Sequence, residues 1–221
     1  MLPALRPVIA AFVLALAPQA FAEPDSQLPW SPSDGEVLDF DVTRNGKSFG
    51  EHTVRFAVSD GEIKVRNDIE LEASLGPIRV FYYAHESDEI WVNGRLSQMD
   101  GVTKKDGDTL TLDVEAQGDV LLVDGSGYEG EVPSDIVPSS HWNLNQIKSQ
   151  KILSSENGEI LDVKVEKVGT ETVKVGDETL TADRCRLVSD LTVDLWYDQS
   201  GRWVKCQFEA RGQSIEYHLK G

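Results

Sequence analysis

Residues 191–219 read LTVDLWYDQSGRWVKCQFEARGQSIEYHL, and this stretch decides how the rest of the chain is read. Val193, Leu195 and Tyr197 alternate with Asp194 and Asp198. Val204, Cys206 and Phe208 then alternate with Lys205, Gln207 and Glu209, and Ile215, Tyr217 and Leu219 with Ser214, Glu216 and His218. Alternation at period two is the mark of strands with one face in a core and one in water. Asp198-Gln199-Ser200-Gly201 and Arg211-Gly212 separate the three runs, each with a Gly suited to positive φ. A two-residue turn at Arg211-Gly212 pairs Phe208 with Ile215 and Cys206 with Tyr217. A four-residue loop before it pairs Leu195 with Val204 and Val193 with Cys206. Every pair is apolar against apolar, and a slip of one residue would undo that agreement. Strict alternation sends Trp196 and Trp203 to the opposite face, to cover a second layer or to line a cavity if the sheet curls.

The same grammar runs upstream. Leu38, Phe40 and Val42 precede an Asn45-Gly46 turn, and Val54, Phe56 and Val58 follow it with the parity changed. Gly50 stands where the change must occur, which predicts a β-bulge there. Asp60-Gly61 pairs Val58 with Ile63 and Phe56 with Val65. Asn67 then interrupts the inward face and needs a hydrogen-bond partner if buried. Beyond Gly76-Pro77, residues 78–83 are apolar on both sides, which predicts a strand covered on both faces. Asn93-Gly94, Asp106-Gly107 and Gly118-Asp119 mark further turns. Residues 124–150 break the rhythm and read as a long loop, with Ser139–Asn143 capping a short helix that reaches Ile147. Asn157-Gly158 and Gly176-Asp177 restore the meander. The expected fold is all-β: a large antiparallel meander of about a dozen strands, curved into a half-barrel or a closed barrel.

The chain opens with a single early charge, Arg6, then an apolar run over Val8–Ala17 and an Ala20-Phe21-Ala22 site. This is the pattern of a secretory signal peptide cut after Ala22, shorter than a bilayer span. Periplasmic or secreted localisation follows as an expectation, with residues 23–221 forming one β domain behind an irregular lead-in over 23–35. No later run is apolar enough to cross a membrane as a helix. A formal net charge of −17 disfavours nucleic acid and anionic lipid headgroups as partners. The two cysteines, Cys185 and Cys206, are either a disulfide allowed by an oxidising compartment or two buried thiols. One intervening strand would hold them roughly 10 Å apart, beyond the usual span of a bridge.

The residues that bear chemistry are sparse. His85 and Glu89 share strand parity, and His141 could join them to hold a metal ion. However, His85 and Glu89 would lie about 13 Å apart along an extended strand, too far for one ion's ligand shell. Ser139 and Ser140 beside His141 allow a hydrolase reading, without a nucleophile-elbow motif. Gly125-Ser126-Gly127 lacks the Lys and helix of a phosphate loop. No cofactor is implied. The tryptophans carry the strongest functional signal: Trp91, Trp142, Trp196 and Trp203, together with His141, are the candidate walls of an apolar ligand cavity.

Gly94-Arg95-Leu96, Ser140-His141-Trp142-Asn143, Leu195-Trp196-Tyr197-Asp198 with Gly201-Arg202-Trp203-Val204, and Ile215–Leu219 together resemble a family of exported Gram-negative proteins of unknown function. The likeness spans nearly all of the mature chain and implies no catalytic residues. In architecture the layout is also similar to the curved sheets of periplasmic lipoprotein carriers of the LolA and LolB type, without a lipidation cysteine. The expectation from the whole is a non-enzymatic periplasmic binding or carrier protein for an apolar or amphipathic ligand. An envelope interaction module comes second, and a hydrolase or metal-dependent enzyme third.

Overall fold

The computed structural model describes residues 30–221; the leader predicted over residues 1–22 lies outside them. Sixteen strands follow in order. The first eight are β1 (Val37–Arg44), β2 (Lys47–Ser59), β3 (Glu62–Leu75), β4 (Ile78–Val92), β5 (Arg95–Lys105), β6 (Asp108–Gln117), β7 (Val120–Gly125) and β8 (Glu129–Pro133). After β9 (Val137–Pro138), a 3-10 turn over Leu144–Lys148 leads to β10 (Lys151–Leu153) and β11 (Ile160–Asp162). The chain ends with β12 (Lys164–Val175), β13 (Glu178–Val188), β14 (Val193–Asp198), β15 (Trp203–Ala210) and β16 (Gln213–Leu219).

Thirteen of these strands form one antiparallel sheet in the order β12 to β16, then β1 to β8, so the N-terminal β1 pairs with the C-terminal β16. The edges β8 and β12 do not pair with each other, so the sheet curls without closing. The remaining strands, β9 to β11, make a small separate sheet. Together with the 3-10 turn they form an insert, residues 134–163, packed on the inward face of the curl. The close approaches show its path. A Cβ on Gly125 of β7 would stand 2.3 Å from the Asn157 carbonyl oxygen, so only Gly admits the insert there. The insert's His141 lies edge-on to Trp203 of β15, and its Trp142 edge-on to Phe56 of β2 and Trp91 of β4.

The hairpin logic of the sequence holds at most joints. Asn45 and Gly46 take φ of 50° and 74°, as a two-residue hairpin turn requires. The parity change falls at Phe49-Gly50, where Gly50 lies opposite Val42, Ser48 lies opposite Thr43, and Phe49 is the extra residue. A Cβ on Gly50 would stand 1.9 Å from the Glu70 carbonyl oxygen. Val58 meets Ile63, Phe208 meets Ile215 and Cys206 meets Tyr217, as the alternation predicts.

Three expectations are corrected. Leu195 faces Cys206 and Val193 faces Phe208, two residues from the predicted register. A bulge at Trp203-Val204 absorbs the difference and turns Trp203 inward, opposite Tyr197. Residues 78–83 are not covered on both faces: the β3–β4 hairpin tip stands out in solvent, with Leu75, Ile78 and Val80 exposed at 75%, 65% and 57%. The segment 124–150 is not a plain loop, because β8 extends the main sheet from it and β9 lies parallel to β10. The predicted short helix is present as the 3-10 turn, with the Asn143 side chain accepting from the Asn145 N–H. Cys185 and Cys206 are free thiols, each facing Leu195 of the strand between them, so no bridge joins them.

Candidate functional site

Polar residues stripe the inward faces of β3, β4 and β5: Asn67, His85, Ser87, Glu89 and Thr103 are all buried. An apolar insert could not satisfy such a stripe, and this insert is rich in side-chain donors and acceptors. Glu89 is 1% exposed. Its Oε2 accepts from the Trp91 indole N–H at 2.7 Å and from the Trp142 indole N–H at 3.0 Å, and its Oε1 accepts from the Asn67 amide at 3.2 Å. Burial pushes the carboxyl pKa up, and the indole and amide donors pull the other way. Three neutral donors and no cation make this a structural anchor that ties the insert to β4, because none of its oxygens reaches solvent.

Beyond this anchor lies an aromatic and imidazole cluster. His141 adopts φ 66°, its Nδ1 bonds the Gln146 Oε1 at 3.0 Å, and its carbonyl accepts from the Tyr197 hydroxyl at 2.9 Å. His52 of β2 sits among Phe40, Trp203 and Tyr217, with neither ring nitrogen bonded. Burial, then the neighbouring His141 and His85, holds the His52 imidazole down to about 3. Burial likewise lowers His85 to about 4, and its Nδ1 contacts the Thr103 hydroxyl at 2.8 Å.

The candidate residues therefore divide. Trp91, His141, Trp142 and Trp203 converge on the inward face. Trp196 does not join them: it lies on the outer face between the Arg184 and Lys205 cations, at 4.9 and 4.7 Å from its ring, with its N–H donated to Glu171. The inward face is packed, among the described residues, with buried side chains. Among the described residues, no three His, Cys, Asp or Glu side chains converge as a metal site. Ser139 bonds Ser155 rather than His141, so no nucleophile–base pair forms there.

Accessible space lies instead at the seam where the insert meets the β4–β5 turn. A cleft of ≈ 360 Å³ opens there, lined by Trp91, Gly94, Arg95 and Leu96 from the sheet and by residues 134–137, Asn143, Asn145, Lys148 and Ser149 from the insert. Leu96, Ile136 and Val137 give it apolar walls and are themselves buried. Asn143 is 2% exposed and its Nδ2 has no partner. A broader groove on the far side of the 3-10 turn shares Lys148 and Ser149 but lies open along Val163–Val165. The sequence reading missed Arg95, Asn143 and Lys148 as site residues. A signal for the first two was present: Gly94-Arg95-Leu96 and Ser140–Asn143 recur together in the resemblance, and the fold brings their ends to one cleft.

The model of the family described as "Domain of unknown function (DUF6134)" matches residues 40–220. No curated protein matches the chain. A solved structure, the crystal structure of a beta-barrel-like protein of domain of unknown function DUF1849 from Brucella abortus, is similar at a TM-score of 0.59 and 9% identity, over 83% of this chain and 94% of that one. At that identity the likeness is one of fold alone.

Proposed function

The chain belongs to the DUF6134 family, and from that premise and the geometry above we propose that it is a non-enzymatic, exported binding protein for an apolar or amphipathic small molecule, held in the seam cleft rather than inside the curl. The observation that carries this reading is the cleft itself. Its ≈ 360 Å³ falls within the range of small-molecule sites, and apolar walls with a few convergent polar groups are their usual make-up. The inward face is packed with side chains, and the buried Glu89, His52 and His85 are sealed from any substrate, which argues against catalysis. The architectural likeness to LolA and LolB carriers belongs to this proposal as a likeness of curved sheets, with the ligand chamber displaced to the seam. Periplasmic localisation belongs to it too, supported by the leader pattern of residues 1–22.

The test is mass spectrometry of organic extracts from protein purified out of its native exported compartment. A small amphiphile is expected from the wild type, and a depleted signal from Ser134→Trp, which fills the cleft from its rim. No extractable molecule, or equal retention by both proteins, contradicts the reading.

One observation favours the second reading, an envelope interaction module. The β3–β4 tip presents Leu75, Ile78 and Val80 to solvent, and exposed apolar patches of this kind mark contact surfaces. Cross-linking from position 78 in intact cells separates the two: a discrete protein adduct supports the module, and none supports the small-molecule reading.

A further inference from the structure

The geometry points to the class of ligand: an amphiphile with a single anionic headgroup, carboxylate or phosphate, whose charge is read by Arg95, Lys148 and the unpaired amide of Asn143. This rests on the cleft reading above and sharpens it. The charge pattern is the first support, because it makes the cleft a local exception in a chain whose overall charge disfavours anionic headgroups. The chain carries 38 acidic against 21 basic residues, so most cations have carboxylates at hand. Arginines 55, 66, 79, 184, 186, 202 and 211 all form ion pairs, and Arg44 lies over the Phe49 ring. Arg95 alone among the described arginines has neither kind of partner, and it lines the cleft. Lys148, on the same cleft, donates only to the Asn145 side chain.

Asn143 is the second, independent support. Its Oδ1 is committed to the Asn145 N–H, which leaves Nδ2 as a buried donor with nothing to donate to. Leaving a buried donor unmade is costly; Asn143 lines the cleft, and a turn of its amide toward the cleft gives that donor an anionic oxygen. Arg95 adds a planar fork suited to two oxygens on one headgroup. Leu96, Ile136 and Val137 then supply the surface for an apolar body. Asp135 also lines the cleft and pairs with neither cation, so its charge opposes an anion there.

Isothermal titration of the mature protein with octanoate, octyl phosphate, 1-octanol and inorganic phosphate tests this. The two amphiphilic anions are expected to bind at least about fivefold tighter than octanol, as charge-assisted hydrogen bonds exceed neutral ones. Arg95→Ala with Lys148→Ala should abolish the preference for the anions over octanol; both side chains are exposed, so folding is unaffected. Asn143→Asp keeps the oxygen that caps the 3-10 turn, removes the free donor and should weaken both anions. Asp135→Asn should strengthen them. Octanol binding as tightly as octanoate, or anion affinity unmoved in the double variant, overturns the headgroup assignment while the cleft stands. Inorganic phosphate binding as tightly as octyl phosphate overturns the amphiphile. No heat from any of the four overturns the cleft reading itself.

Discussion

Trp142 of the insert donates its indole N–H to Glu89 of β4 across 3.0 Å, and Trp91 donates to the same oxygen across 2.7 Å. One buried carboxylate oxygen thus joins the curved sheet to the segment that fills it, and Trp91, which also lines the cleft, is set by that joint. Glu89→Met keeps an unbranched side chain of similar length and removes the oxygen that accepts from both indoles. Leaving one buried indole N–H unmade costs about 1–3 kcal/mol. Urea unfolding of Glu89→Met, Trp142→Phe and the double variant should show the two sites coupled by about 0.5–3 kcal/mol. Additive losses would mean that the bond holds nothing together.

Acid should unfold this protein through its histidines. The folded pKa values of His52, His85 and His141 are all held below the ordinary 6.5 by burial, His52 at about 3 and His85 at about 4. Below pH 6.5 the unfolded chain therefore binds more protons than the folded one. Their contribution is complete above that pH and is lost as pH falls below it, for His52 and His85 at about 1.4 kcal/mol per pH unit each toward pH 4. Glu89 runs the other way, since its raised pKa favours the folded state in acid and offsets part of the loss. His52→Phe, which suits the aromatic nest, should flatten the stability profile between pH 6 and 4 by about 1.4 kcal/mol per unit. An unchanged slope would show that His52 titrates normally.

Gly50 sits at the bulge with the Glu70 carbonyl 1.9 Å from where a Cβ would stand. Gly50→Ala must push β2 from β3 and is expected to cost about 2 kcal/mol or more. Thermal melts of Gly50→Ala and Gly46→Ala give the contrast, because a Cβ at Gly46 meets nothing and pays only the strain of its turn. Equal losses would contradict the bulge.

The two cysteines should behave as buried thiols. Burial raises the pKa of both, which removes the thiolate that reacts. Reductant should leave the melting temperature unchanged, and thiol reagents should titrate both residues only after denaturation. A reductant-sensitive melt would mean a bridge.

The sheet was legible because alternation and hairpin turns are local: Asn45-Gly46, Asp60-Gly61 and Arg211-Gly212 each fix a register within a few residues. Gly50 showed its bulge because parity has to be conserved between turns. The Trp203-Val204 bulge is hidden in the sequence because a four-residue loop admits more than one register, and so strict alternation puts Trp196 and Trp203 on one face when they lie on two. Asn67 announced itself as a polar residue on an apolar face, but its partners Ser87 and Glu89 lie on another strand. The cleft was illegible for a different reason. It exists only where residues 94–96 meet residues 134–149, and Arg95 reads in sequence like any other surface cation.

The most direct measurement is an NMR experiment on the octanoate complex that records contacts between the ligand's chain protons and the protein's methyl groups. The seam-cleft account predicts contacts to Leu96, Ile136 and Val137. Contacts to Leu75, Ile78 and Val80 at the hairpin tip, or none to the seam, would contradict it.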